Sequence, residues 1–215
     1  MSAGPDDQAP RWGVVVPVKH LDLAKSRLQA YGDDGRVRLA LAFAEDVVRA
    51  ALSCGVVHRV LVVTDDDRAA RAVAALGAEV VPDDPADGLN PALQHGADLL
   101  RAGDDRLGVA TVSADLPSLR PADLEAALRA TRARGFVADA AGSGTTVLAA
   151  AAGHPLGPSY GPSSRERHAA SGAVELAAPP GLRRDVDTPD DLREALALGV
   201  GPCTAEVVLA LGTRG

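Results

Sequence analysis

The chain has 215 residues, 47% of them hydrophobic, enough at this length for a sizeable core without disulfide or metal staples. A net charge of −7 with 2% aromatic residues argues against nucleic acid or an anionic membrane as partner and leaves little for base stacking. Cys54 and Cys203 stand outside any CxxC or zinc-ligand spacing, and no apolar run reaches the ~18 residues of a membrane span, so a reduced, cytoplasmic setting is expected.

The opening "MSAGPDDQAPR" is too polar and proline-rich for a signal peptide. Residues 1–10 are expected to be a disordered tail and 11–215 one domain. Residues 12–18 read as a buried strand, and "VRLALAFAEDVVRAAL" carries Val37, Leu41, Ala44, Val48 and Ala51 at helical spacing. "RVLVVT" is the second strand, "DRAARAVAAL" a helix and "AEVVP" a short third strand. After the loop "DDPADGLN" come a helix over 91–102, the strand "LGVATVS" and a helix opened by Pro121, which suits the first turn because its missing amide has no partner there.

This alternation predicts an α/β fold with a mostly parallel central sheet and helices on both faces. From Phe136 onward the rhythm changes to short extended pieces, "FVADA", "TTVLAAA", "AVEL" and "LRRDVD", separated by Gly/Pro/Ser loops, with helices over 189–197 and about 203–211 at the end. Ligands of such sheets bind beyond the carboxyl ends of the strands, and the unusual residues fall there.

Lys19, Lys25 and Arg27 follow the first strand. A solvated basic loop is the ordinary account; three cations anchored by a core strand in an acidic chain instead suit a triphosphate. Neither GxGxxG nor GxxxxGK[ST] is present, so any phosphates are met by side chains. Asp115 lies just past the fourth strand, where an Asx turn before Pro117 is the structural alternative. Asp185 and Asp187, two apart on an extended piece, face one side. Thr188 as N-cap and Pro189 at the first helical position account for Asp190 and Asp191, which favour a helix N-terminus, but not for the two aspartates before them. Mg²⁺ is held by one or two carboxylates plus substrate phosphates, a role that suits Asp115 with Asp185 and Asp187 if the fold joins the two segments.

"GSGTT" reads as a hairpin turn, although its amides and hydroxyls, with those of "YGPSSRERH", also suit a small phosphorylated acid. Asn90 reads as a helix cap or a ligand contact. The five histidines show neither metal spacing nor a Ser/His/Asp order. The acidic "TDDD" after the second strand raises a receiver-module alternative, weakened because receivers carry such a cluster after their first strand and are shorter chains.

Taken together and in order, "VKHLDLAKSRL", "GLNPAL", "SADLP", "FVADAAGSGTTVL", "YGPSSRERH", "SGAVEL" and "LRRDVDTPDDL" resemble the phosphoenolpyruvate/2-phospho-L-lactate guanylyltransferases of deazaflavin coenzyme biosynthesis, from about residue 13 to 205. The resemblance implies a single-domain GT-A-like, Rossmann-like nucleotidyltransferase fold. It implies transfer of GMP from GTP to phosphoenolpyruvate, or to 2-phospho-L-lactate, with Mg²⁺ as cofactor and hand-over of product to a downstream transferase. By motif it implies Lys19, Lys25 and Arg27 near the GTP phosphates and Asn90 near the nucleoside. Asp115, Asp185 and Asp187 would bind metal, and Thr145, Gly161 and Ser164 would meet the acceptor. Pro17, Val18 and Lys19 stand where sugar and molybdopterin relatives carry a glycine-rich loop, and Ser163 stands where an acidic residue is expected in the bacterial form. A sugar-phosphate or molybdopterin nucleotidyltransferase and a non-catalytic nucleotide-binding module are the remaining alternatives.

Overall fold

Successive strand residues point to opposite faces of a sheet, and here both faces are covered. In the computed structural model, which describes residues 10–83 and 87–212, β1 (Trp12–Pro17) sends Val14 and Val16 into one apolar cluster and Val15 into another. β2 (Val57–Val63) divides in the same way, Val60 and Val62 to the first cluster and Leu61 and Val63 to the second. This two-sided burial is why these strands read as unbroken valine and leucine runs.

The first cluster lies under α1 (Gly32–Leu52), α2 (Asp67–Ala75) and α4 (Pro121–Ala130). The second lies under α3 (Leu89–Gly103). There Gly96 is a necessity of packing: a Cβ at that position would come within 2.8 Å of Val15 Cγ1, so α3 sits on β1 only because the side chain is absent.

Including β3 (Glu79–Val81), β4 (Gly108–Val112), β5 (Arg134–Ala138), β6 (Thr145–Ala150) and β7 (Val174–Glu175), the sheet runs in the order β3-β2-β1-β4-β6-β5-β7. The pairs β1/β2, β1/β4, β2/β3 and β5/β7 are parallel, and β6 is antiparallel to both neighbours. The mostly parallel sheet expected from the sequence is therefore the one observed, and "GSGTT" closes the β5–β6 hairpin. The remaining helices are α5 (Ser164–Ala170), α6 (Pro180–Arg183), α7 (Pro189–Leu198) and α8 (Pro202–Gly212).

Three expectations need correction. The first helix starts at Gly32, five residues before its apolar periodicity becomes visible, because its first turn is exposed and carries Asp33 and Asp34, favourable at a helix N-terminus. The segment before it is not a plain loop but two 3-10 turns, Leu21–Leu23 and Ser26–Tyr31. "LRRDVD" is not extended throughout: Pro180–Arg183 forms a helical turn with Pro180 at its first position. The cap at α7 is as expected, a capping box in which Thr188 Oγ1 accepts the Asp191 amide and Asp191 accepts the Thr188 amide. The expected tail lies, apart from Pro10, outside the described residues, as do residues 84–86 of the expected "DDPADGLN" loop.

A third cluster, Leu28, Leu39, Phe43, Val186, Leu192 and Ala195, fastens the C-terminal helices to α1. Among the described residues no helix is long and apolar enough to cross a membrane.

Candidate active site

β1 is flanked by β2 on one side and β4 on the other, so the strand order reverses between β1 and β4. Beyond the carboxyl ends of strands at such a reversal an α/β sheet leaves a crevice for ligands. A cavity of about 470 Å³ opens there, lined by Pro17 at the end of β1 and Val18 after it, and by Ser113 and Ala114 after β4.

The segment after β1 is held from below. Arg36, buried on α1, donates to the carbonyls of Leu21 (3.2 Å), Asp22 (2.9 Å) and Ala24. Asp66 accepts the Leu21 amide at 3.0 Å while capping α2 through the amides of Arg68 and Ala69. Hydrogen bonds from Arg68, and from the backbone amides of Leu21, Ala69 and Arg68, hold the Asp66 carboxyl well below the usual carboxylate range, against its burial. The "TDDD" cluster thus has a structural task, which removes the motive for a receiver reading.

Pinned in this way, the chain turns at Lys25, one of two non-glycine residues with positive φ among those described (55°). A left-handed lysine carries strain that its surroundings must hold in place. The turn drives its side chain inward: Lys25 Nζ lies 2.5 Å from Asp115 Oδ2 and 2.7 Å from Asp187 Oδ1. Burial pushes the ammonium pKa down, but the two carboxylates more than offset this, and its pKa is raised.

The two acidic segments are joined by the backbone, since the Val186 amide donates to the Asp115 carbonyl at 3.0 Å. Val186 itself is buried in the third cluster beside Leu28. Of the other expected cations, Lys19 is exposed and lines the cavity, whereas Arg27 is exposed and outside its wall.

Asp185 and Asp139 complete the acidic side. Burial first, then the charges of Asp115, Asp187 and Asp139, push the Asp185 pKa up to about 6. Asp139, just past β5, was not singled out from the sequence; its Oδ1 accepts the Ser143 amide at 2.8 Å, and Gly144 leaves room for it, since a Cβ there would fall 2.4 Å from Oδ2.

The expected three-aspartate metal set is only partly assembled. Among the described residues no three carboxylate, imidazole or thiolate groups close around one point, because Lys25 stands between Asp115 and Asp187. Asp115 Oδ1 is nevertheless buried without a hydrogen-bond partner, and the donors are all oxygen. That chemistry fits a hard divalent ion whose coordination is completed by substrate phosphates.

The raised Asp185 pKa has a consequence for stability. A carboxyl that binds its proton more tightly when folded adds stability below its ordinary pKa of about 4, and that contribution is lost as pH rises through about 6. Without divalent ions, Asp185→Asn is therefore expected to raise the melting temperature at pH 8, by about 2–4 °C per kcal/mol recovered, and to leave it unchanged at pH 4. Thermal melts at the two pH values check this; equal shifts at both would contradict it.

Thr145, Gly161 and Ser164 line the same cavity, together with Tyr160. Gly161 has φ 121° and lies two residues before Ser163, the other non-glycine residue with positive φ among those described. The Tyr160 hydroxyl meets Thr111 Oγ1 at 2.6 Å and is pushed up in pKa by burial. Asn90 is not the cap of α3. Gly88 caps α3, and the Asn90 amide is tied to both backbone groups of Tyr160 (3.1 and 2.6 Å), clasping the "YGPSS" loop outside the cavity wall.

A family model for CofC-like guanylyl transferases matches residues 12–171. The chain belongs to that family. This member is 58% identical over 198 residues to the phosphoenolpyruvate guanylyltransferase of Thermomonospora curvata, covering 90% of this chain and 87% of the relative. Among solved structures it is similar to a nucleotidyl transferase from Methanothermobacter thermautotroptrophicus, with TM-score 0.61 and 21% identity, over 88% of this chain and 98% of that one. A manganese complex of a protein from Mycobacterium tuberculosis H37Rv is similar with TM-score 0.55 and 23% identity, over 88% and 100%. These two likenesses are of fold, and the nucleotidyltransferase fold implied by the sequence is the one present.

Proposed function

We propose that the protein transfers GMP from GTP to the phosphate of phosphoenolpyruvate, releasing pyrophosphate. The observation that carries this reading is the meeting of two unlike sets of groups in one cavity. A buried cation among carboxylates and a hydroxyl and glycine surface line the same space. The name of the Thermomonospora curvata relative supplies donor class and acceptor together.

The acceptor's phosphate oxygen is already an anion, so the reaction needs no general base. It forms the new bond to the α-phosphorus as the bond to pyrophosphate breaks, and the electron pair leaves with the pyrophosphate. The barrier is chiefly electrostatic, because two polyanions must meet. Lys25, with Lys19 at the rim, meets the triphosphate. Thr145, Ser164 and the unhindered backbone at Gly161 orient the acceptor. A divalent ion, Mg²⁺ by preference and held by Asp115, Asp185 and Asp187, would supply further neutralisation of the phosphates when bound; the manganese in the Mycobacterium tuberculosis neighbour is consistent with that class of ion. Hand-over of the labile diphosphate product to a downstream transferase completes the reading.

The test is pyrophosphate release with GTP and Mg²⁺, adding phosphoenolpyruvate, 2-phospho-L-lactate or no acceptor, with the product's mass recorded. Release that depends on phosphoenolpyruvate is the expected result. Release with phospholactate alone would change the acceptor, and GTP binding without release in either case would leave a binding module.

A further inference from the structure

His168 is fully buried behind the wall that carries Thr145 and Ser164. It is packed against Phe136 (centroids 6.0 Å apart) and edge-on to Tyr160 (5.2 Å). It does not line the cavity, so it acts through other groups or not at all.

The Ser159 backbone amide donates to His168 Nε2 at 3.0 Å. An amide nitrogen offers only a hydrogen, so Nε2 must present its lone pair and the ring's one hydrogen must sit on Nδ1. Nδ1 lies 2.9 Å from Thr145 Oγ1 and therefore donates to it. Burial first, then Arg134 and Arg167, hold the ring's pKa down to about 4, so it is neutral at pH 7.

Thr145 Oγ1 in turn lies 3.2 Å from Ser164 Oγ. The two hydroxyls own two hydrogens. With His168 donating, one hydrogen closes the bond between them, and the other has no acceptor among the described residues and is left for the cavity that both side chains line. With the opposite tautomer, Thr145 would donate to Nδ1 and Ser164 to Thr145. Both hydrogens would be consumed while that pair stays closed, and an anion would gain a hydroxyl donor only by breaking the Ser164–Thr145 bond.

We propose that His168 is a positioning residue which, held as its Nδ1–H tautomer by the Ser159 amide, turns the Thr145–Ser164 hydroxyl pair so that one hydrogen faces the acceptor's anionic group. The proposal rests on the reading of that wall as the acceptor's anchor. Loss of the imidazole donor lets the hydroxyls turn on each other, which weakens acceptor binding and leaves the nucleotide side untouched.

Two measurements test it. In the full-length protein with ¹⁵N-labelled histidine, the ring shifts and two-bond proton couplings of His168 are expected to report a hydrogen on Nδ1 throughout pH 6–8. A hydrogen on Nε2 would overturn the proposal without reference to any substrate. In kinetics, His168→Phe keeps the ring's volume and removes both hydrogen bonds. It is expected to raise KM for phosphoenolpyruvate about 10- to 100-fold, the size of one hydrogen bond to an ion, with KM for GTP unchanged. His168→Asn, whose amide places an N–H near the Nδ1 position, is expected to recover most of that loss.

Equal losses in both variants, or a matching rise in KM for GTP, would overturn the proposal. If His168→Phe fails to fold, the asparagine variant and the tautomer carry the decision. Absence of phosphoenolpyruvate-dependent release by the unaltered protein would instead overturn the reading of the acceptor, while the tautomer would remain measurable.

Discussion

Asp115→Asn is expected to lower turnover by more than the ~100- to 1000-fold typical of losing one group aimed at the transition state, with the fold intact. The two carboxylate oxygens of Asp115 stand in unlike surroundings. Oδ2 receives Lys25 at 2.5 Å, and Oδ1 is buried without any partner. A buried carboxylate oxygen without a donor is destabilising, so its persistence at the end of β4 points to a cation supplied from outside the chain. Asparagine keeps one acceptor for Lys25 but removes the charge and turns an amide toward the cavity, which repels any metal. The backbone carbonyl that accepts the Val186 amide is unaffected, so the link between the two acidic segments survives. Pyrophosphate release and a thermal melt of the same preparation decide the matter. Full turnover in a folded variant would remove Asp115 from the reaction, and a large fall in melting temperature would assign it to structure.

The sheet was legible because burial on both faces writes a continuous apolar run into β1, β2 and β4, and a run of that length with helical segments between is a local signal. The capping box at α7 was legible for the same reason, all its groups lying within four residues. What failed was long-range or conformational. Lys25 and Arg27 are two residues apart in one basic loop, and spacing cannot separate them. The separation comes from the left-handed turn at Lys25, where no glycine or asparagine marks the position, and from Arg36 and Asp66, which clamp the loop from α1 and α2.

Asp139 was hidden in an apolar strand ending, although an acidic residue ahead of a glycine-rich turn was a usable clue. Asn90 looked like a cap because caps are chosen by residue type, whereas its partner is the backbone of Tyr160, 70 positions away. His168 stands in no metal or triad spacing. Its partners are a backbone amide and a threonine hydroxyl, and neither leaves a motif.

Lys25→Ala is expected to reduce turnover about 100- to 1000-fold, the usual scale for a lost transition-state charge, and, unlike Asp115→Asn, to lower the melting temperature at pH 7. The ammonium is the counter-charge for carboxylates crowded around one cavity, with its side chain only 11% exposed. Removing it leaves Asp115 and Asp187 facing each other and Asp185 without compensation, and breaking a pair out of water costs more than forming it gained. Because the folded pKa of Lys25 is raised, its contribution is complete below the ordinary lysine pKa of about 10.4 and fades only as pH climbs through the higher folded value. The melting deficit should therefore be full at neutral pH.

Two comparisons separate charge from backbone. Lys25→Gly adopts φ 55° without the steric penalty that alanine carries, so it is expected to match alanine in lost turnover and to melt no lower. A divalent ion replaces the missing positive charge but not the group that meets the triphosphate. Added without nucleotide it is expected to restore the melting temperature of both variants, whereas raising the same ion in the GTP assay is expected to restore the turnover of neither. Recovery of turnover by the ion alone would reduce Lys25 to a counter-ion for the aspartates. Unchanged melting at pH 7 would show that the carboxylates do not need it.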